Sequence, residues 1–476
     1  MNGDAHKMRL PWGVVSVVLV GAFMATLDAF IVIVAGPAIQ ADLGASDGEL
    51  QWILAGYQLT YAVFLITGGR IGDLRGRKRG FITGMAAFTL ASVACAVAWS
   101  AGVLIVARLV QGLGAALMLP QVYAVIAVLV PEKQRHRVFG VLGVVVGLAT
   151  IGGQLIGGLL IGADLFGSGW RPVFWINVPV GVAAIAFAAR RLPESRAALA
   201  RRLDVRGVVV LSVALFLLAF PLIQAQHEGW PWWAWAGIGG SAVMLFVFVL
   251  LERRAGDPLV RMSLFRARSF SVGIVLVLVI YMVITSYYLV LSISLQDGLG
   301  MSALGAGLVY TPAAVTFFVF SMIASRLIPA YGRRVLEIGA IVLAVGYAST
   351  AIVLGNGLPF EPWIVIPTLM VQSAGGGLVI TPSLNAVLTR IDPEDAGIAS
   401  GVLSTAQQIG AALGVAVIGV VFFRSFDTSV RDSAAAAGHA LAMSSIFTFV
   451  TATVAAVLVR MLPDGRRVRT RAIATR

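Results

Sequence analysis

The chain has one cysteine, Cys95, and four histidines among 476 residues. A lone thiol inside an apolar run excludes an intramolecular disulfide and says nothing about redox compartment. His6, His136, His227 and His439 all fall outside the expected spans, so the clustered ligands of a metal centre are missing. Charge is scarce as well: Asp, Glu, Lys and Arg make up 12% of the chain, against roughly 25% in soluble globular proteins. Lys7, Lys78 and Lys133 are the only lysines, and Met, Arg and Gln follow them. A phosphate-binding loop needs Lys followed by Ser or Thr, so ATP hydrolysis by this chain is not expected. Clustered acids and bases are lacking too, so neither an enzyme nor a cofactor or metal site is expected.

What the sequence has in quantity is apolar length. It is 59% hydrophobic, in runs near the roughly 20 residues that a helix needs to cross a bilayer. Fourteen spans are expected, at 11–36, 50–71, 80–99, 103–130, 138–163, 172–189, 205–225, 232–251, 270–295, 303–324, 335–354, 363–388, 398–423 and 440–459. The first run is too long for a signal-peptide core and ends in Gly36-Pro37, so it should be retained as a span. Trp230, Trp232 and Trp233 read as interfacial anchors. Net charge is +13, but the basic residues sit between spans, where they act as topology signals; nucleic acid is not an expected partner. Alternate loops carry all 35 Lys and Arg except Arg108, Arg171, Arg424 and Arg431. That asymmetry places both termini in the cytoplasm. The Arg-heavy, Lys-poor usage points to a bacterial chain, so the expected location is a bacterial inner membrane, with lipid as the surrounding partner.

The sequence also repeats. Arg70 to Lys78 aligns with Arg326 to Arg334, and Gly114, Pro120 and Ala124 align with Gly376, Pro382 and Ala386. Both matches have an offset near 260, whereas six spans occupy only about 180 residues, so two spans are inserted between duplicated halves. Duplicated halves with a site at their interface are a common build of secondary transporters. The expected division is 1–190, a six-helix bundle; 191–259, linkers and spans 7 and 8; and 260–476, the second bundle with a basic tail.

The segment Gly69-Arg70-Ile71-Gly72-Asp73-Leu74-Arg75-Gly76-Arg77-Lys78 resembles the loop between spans 2 and 3 of the major facilitator superfamily. Leu27-Asp28-Ala29-Phe30-Ile31-Val32, Trp170-Arg171-Pro172-Val173-Phe174-Trp175-Ile176-Asn177-Val178-Pro179-Val180-Gly181 and the stretch from Asp257-Pro258-Leu259-Val260 to Phe265 resemble motifs of its fourteen-span drug:proton antiporters. The resemblance covers nearly the whole chain. It implies an all-α major facilitator fold, two six-helix bundles plus two inserted helices, with Gly69, Asp73, Gly76 and Arg77 in a conformational latch. The sequence departs from the pattern in span 5, where Gly153-Gln154-Leu155-Ile156-Gly157-Gly158 carries Gln154 in place of proline. In span 1, Phe30 and Ile33 replace the usual Thr and Asn.

Asp28 is the one carboxylate deep in a span. Burying a charge there costs about 2.5–3.5 kcal/mol even on the insertion scale, so such residues usually serve a function. Arg108 is its expected partner, because counted from the outer span ends the two lie roughly 12 and 8 Å deep at 1.5 Å per residue. Proton release from Asp28 in competition with substrate, tuned by Arg108, is the expected coupling; a static ion pair is the alternative. Gln58, Tyr61, Gln121, Tyr281, Tyr288, Asn385 and Gln408, with Gln154, are candidates for a substrate cavity. For each of them a helix–helix hydrogen bond is an equal alternative. The expected activity is proton-coupled efflux of small amphipathic compounds by a monomer. A facilitator or metabolite exporter without proton antiport is the second reading, and a non-transporting membrane sensor the third. With no second acid in the central spans, neutral, monocationic or zwitterionic compounds are favoured over dications.

Overall fold

The computed structural model describes residues 12–196, 204–225, 229–256, 258, 262–356, 358–388, 396–426 and 433–462. Asp257, Leu259, Val260, His6 and His227 lie outside them, as do the side chains of Asn385 and His136. Among the described residues, fourteen helices are long and apolar enough to cross a bilayer. Spans 1 to 6 are Trp12–Leu43, Asp47–Arg75, Arg77–Ala96, Ala101–Leu129, Glu132–Ala163 and Pro172–Arg191. Spans 7 and 8 are Val205–Gln224 and Trp232–Arg254. Spans 9 to 14 are Arg268–Gly298, Ala303–Tyr331, Arg333–Gly355, Pro362–Leu388, Ala396–Ser425 and Ser433–Met461.

Short polar punctuation starts the helices. Ser46 caps span 2 reciprocally with Glu49: its hydroxyl accepts from Glu49 N at 3.3 Å, and its own N–H donates to Glu49 Oε2 at 2.9 Å, satisfying two otherwise orphaned donors. Ser100, Asp204 and Ser302 cap spans 4, 7 and 10 through backbone amides three residues on. Several helices exceed their expected lengths. Span 14 reaches back far enough to include His439, which is exposed and lies inside the span rather than before it. Span 6 is interrupted at Ile176, where Pro179 cannot donate to the Trp175 carbonyl.

Span 1 runs to Leu43, with Pro37 inside it, rather than ending at Gly36. Proline takes the N–H that Ile33 O would otherwise accept, and in a membrane helix a neighbour must replace it. Ser292 Oγ of span 9 does so, donating to Ile33 O at 3.2 Å, and Gln296 Nε2 donates to Val34 O at 3.0 Å. Gln296 sits in a π-helical turn, Ser294–Gly298, that ends span 9. One bundle thus docks on the carbonyl that a proline in the other leaves free and on the carbonyl next to it.

Spans 1–6 and spans 9–14 form the two bundles. Gly76 (φ +114°) and Gly332 (φ +56°), at the repeat offset found in the sequence, each end one span and begin the next; glycine tolerates this backbone without strain. The following arginines play parallel parts. Arg77 pairs with Asp73 at 2.9 Å and Arg333 with Glu337 at 2.8 Å. Each loop is tied to the end of its own bundle's last span: Arg77 N donates to Ser195 O at 2.9 Å, and Arg333 Nη1 to Leu462 O at 2.8 Å. Spans 7 and 8 pack together through Ser241 Oγ, which donates to Ala214 O at 2.8 Å. Span 7 leans on span 2, where Trp52 meets Phe216 and Phe220 at ring-centroid distances of 6.1 and 6.3 Å. Trp232 is 80% exposed, as an anchor at a lipid–water boundary should be.

The bundles meet along spans 2 and 13 and along spans 5 and 10. On the side opposite the basic loops the approach is close: a Cβ at Gly158 of span 5 would lie 2.6 Å from Ala303 O of span 10. With the Pro37 contacts, this closes the seam on the side opposite the basic loops. Two hydrogen bonds worth about 1 kcal/mol each help hold it. Replacing Ser292 and Gln296 together by Ala should therefore speed maleimide labelling of a cysteine placed at Val34 by about tenfold or more. Unchanged labelling would mean that these bonds do not hold the closure.

Candidate functional site

Asp28 stands midway along span 1 and is completely buried (0% exposed). Its neighbours on the helix, Leu27, Phe30 and Ile31, face span 5: a Cβ at Gly153 would lie 2.8 Å from Phe30 Cβ and 3.1 Å from Leu27 O. Asp28 itself turns the other way, into the first bundle, toward spans 3, 4 and 6. Arg108 Nη1 of span 4 donates to Asp28 Oδ2 in an ion pair. Asp28 Oδ1 accepts from Gln111 Nε2 and from Asn177 Nδ2, each at 2.8 Å.

The rest of the network fixes these donors. Gln111 Oε1 accepts from Arg108 Nη1 at 2.7 Å, and Gln111 Nε2 also reaches Ser92 Oγ at 2.8 Å. Arg108 Nε donates to Ile53 O at 3.1 Å. The guanidinium lies 4.4 Å from the Tyr57 ring centroid and 5.8 Å from that of Phe174, an arrangement favourable for a desolvated cation. Tyr57 OH donates to Ala25 O at 3.1 Å, one turn before Asp28. Both charges are paired and hydrogen-bonded, as burial requires.

The sequence pairing of Asp28 with Arg108 is therefore seen in the structure, but the carboxylate does not face the seam between the bundles. Direct contact with a substrate there is not what this geometry offers. Four further members of the site, Ser92, Gln111, Asn177 and Tyr57, were not singled out from sequence. Gln111 stands three residues from Arg108, on the same helix face, and Asn177 lies within the span-6 motif; either signal was available. Ser92 and Tyr57 carried none. Asp28 is also not the only buried acid, since Glu252, at the end of span 8, is 2% exposed.

The expected latch residues form one structure. Asp73 accepts from Arg77 Nη2 at 2.9 Å and Nε at 3.2 Å. A Cβ at Gly76 would press on the Glu194 carboxylate, which accepts from Lys78 N at 3.1 Å. Gly69 faces Pro120, with 3.4 Å from its would-be Cβ. The loop is thus fastened mainly to its own bundle; Arg70 reaches beyond it, donating to Pro258 O ahead of span 9.

The cavity candidates separate. Gln121 is 1% exposed and donates to Gly68 O at 2.9 Å and Leu117 O at 3.1 Å, so it stitches span 4 to span 2. Tyr61 is buried beside Tyr57, with ring centroids 6.2 Å apart. Gln58 is buried, with no partner for its Oε1. Tyr281 and Gln408 are half-buried. Tyr288 is also half-buried and meets Phe30 edge-on at 6.4 Å across the two bundles. In span 5, Gly153 and Gly157 press on span 1 and Gly158 on span 10, while Gln154 between them is 4% exposed.

The family profile of the Major Facilitator Superfamily matches residues 18–415. A probable actinorhodin transporter of Streptomyces coelicolor is 39% identical over 92% of this chain and 77% of its own. A tetracenomycin C resistance and export protein of Streptomyces glaucescens is 34% identical over 86% of this chain and 76% of its own. The fold is similar to that of a crystallised D-xylose-proton symporter, with a TM-score of 0.66 and 15% identity over 95% of this chain and 98% of that one. With fourteen spans, duplicated bundles and a profile match over most of its length, this chain is a membrane transport protein that belongs to the major facilitator superfamily.

Proposed function

We propose that the chain is a proton-coupled exporter of small amphipathic compounds from the bacterial cytoplasm, with Asp28 exchanging the proton and Arg108 as its counter-charge. The names of the relatives, transporters and exporters of antibiotics, support export. The observation that carries the coupling is the complete enclosure of Asp28. In the charged form both carboxylate oxygens are occupied by donors from spans 4 and 6. Oδ1 already accepts twice, so a proton added there displaces Gln111 or Asn177, and a proton added to Oδ2 removes the charge that holds Arg108; either change loosens span 1 from its neighbours. Proton and substrate then compete through the position of span 1, not by contact at one atom.

The positive-inside pattern supports a cytoplasmic basic side, and on that reading the closed part of the seam faces outward. On this reading 1–190 and 260–476 are the moving bodies, 191–259 joins them, and one chain surrounded by lipid suffices. A facilitator or metabolite exporter without antiport is the second reading. It draws on the same enclosure, because a static ion pair that fixes spans 1, 4 and 6 would have the same bonds.

Energised inside-out vesicles separate the two. Export by antiport predicts uphill accumulation of a fluorescent amphipathic dye that collapses when a protonophore is added. Dye movement that only runs downhill and ignores the protonophore would establish the facilitator.

A further inference from the structure

Spans 5 and 10 run antiparallel across the seam between the bundles. Gly158 stands against Ala303, and a Cβ at Gly307 would lie 2.8 Å from Gln154 O. Thr311 follows Gly307 by one turn on the same face of span 10. Here two polar side chains are left unanswered: Nε2 and Oε1 of Gln154 and Oγ1 of Thr311 are buried without a hydrogen-bond partner. Such orphans cost about 1–3 kcal/mol each. Native chains rarely carry them without a reason such as an absent ligand or water.

The neighbouring walls are aromatic. Phe30 lies beside span 5 at Gly153 and meets the Tyr288 ring at 6.4 Å; Tyr288 meets Tyr310 at 5.3 Å. Tyr310 OH is already spent on Tyr288 O at 3.0 Å, leaving its ring as an apolar surface. Phe30 and Gln154 are also two of the positions at which the sequence departs from the antiporter motifs. They come from different spans, and Phe30 packs against Gly153, the residue before Gln154.

We infer that Gln154, Thr311 and the rings of Phe30, Tyr288 and Tyr310 form a substrate subsite for planar aromatic compounds whose rim carries adjacent hydrogen-bond donors and acceptors. The amide of Gln154 offers one donor and one acceptor side by side, and the Thr311 hydroxyl can act as either. Two adjacent ring hydroxyls, one donating and the other accepting, answer both. The rings supply edge or offset stacking for the flat body. A buried polar site of this kind discriminates strongly against ligands that leave it unpaired. The subsite deepens the export reading and rests on it for the direction of transport, but its occupancy can be measured without a gradient.

The test is binding of 1,2-dihydroxyanthraquinone and of its dimethoxy ether to the purified full chain, followed by fluorescence quenching. The wild type should bind the dihydroxy compound about tenfold or more tighter. Gln154→Leu keeps the bulk and removes both amide groups, so the preference should fall below about threefold. Thr311→Val, on the facing span, makes the same comparison if Gln154→Leu does not fold. Equal affinity of the wild type for the two compounds, no saturable binding of either, or a preference unchanged in the folded variants would overturn the subsite. A collapsed preference without gradient-driven export would keep the subsite and sink the export reading. Protonophore-sensitive export with an unchanged preference would do the reverse.

Discussion

Replacing Asp28 by Ala is expected to destabilise the protein by about 3–5 kcal/mol, because it strands a buried guanidinium. Arg108 is 1% exposed; its remaining partners, Ile53 O and Gln111 Oε1, leave its charge uncompensated. Asp28→Asn should cost less, since an amide oxygen can still accept from Arg108, Gln111 or Asn177. The double variant Asp28→Asn with Arg108→Gln should regain most of the loss seen in Asp28→Ala, since neither partner is then a lone charge. Thermal unfolding in detergent checks the cycle. If Asp28→Ala and Arg108→Gln each melt like the wild type, the two charges are not the closed pair described above. Stability and coupling separate in the double variant, which should fold and yet move no protons.

The second large effect is expected at Trp170. It is 1% exposed and among the largest fully buried side chains. Its Nε1 donates to Asp42 Oδ2 at 2.9 Å, and its ring meets Phe174 edge-on at 5.9 Å. Arg171 completes the brace, donating to Asp42 at 2.8 Å and to Ala98 O at 3.2 Å, so the ends of spans 1, 3 and 6 are tied together. Trp170→Ala should cost about 3–5 kcal/mol. Because Phe174 also lies against Arg108, it should disturb the ion pair as well. Trp170→Phe keeps the ring contact and loses one hydrogen bond, roughly 1 kcal/mol. Equal melting of the two variants would show that the hydrogen bond, and not the buried ring, sustains the brace.

The fold was legible because a membrane leaves few solutions. Apolar runs of the right length must be helices, and the placement of arginines fixes which loops share a side. The repeat was legible at Gly76 and Gly332, whose backbone geometry forces the same residue in both halves. The helix ends were less readable. Pro37 looks like a terminus in sequence, and the donors that answer the carbonyls beside it, Ser292 and Gln296, sit on a span 259 or more residues away.

Of the site, the charged pair was readable because charge inside an apolar run is conspicuous. Its polar shell was less so: Ser92 and Tyr57 are ordinary residues of membrane helices until the packing of spans 1 to 4 brings them together. Gln121 shows the opposite difficulty. A glutamine at membrane depth looks like cavity lining, but the glycines beside it, at Gly68 and Gly72, draw spans 2 and 4 so close that it serves as a bridge between them. Gln154 has no such neighbour to satisfy it, and sequence alone cannot distinguish the two.

The most direct test of the account is proton movement in liposomes that hold purified protein and an internal pH dye. Adding an amphipathic substrate to the wild type should drive proton flux, and the same addition to folded Asp28→Asn should drive none. Flux that persists in Asp28→Asn would contradict the assignment of coupling to the pair of Asp28 and Arg108.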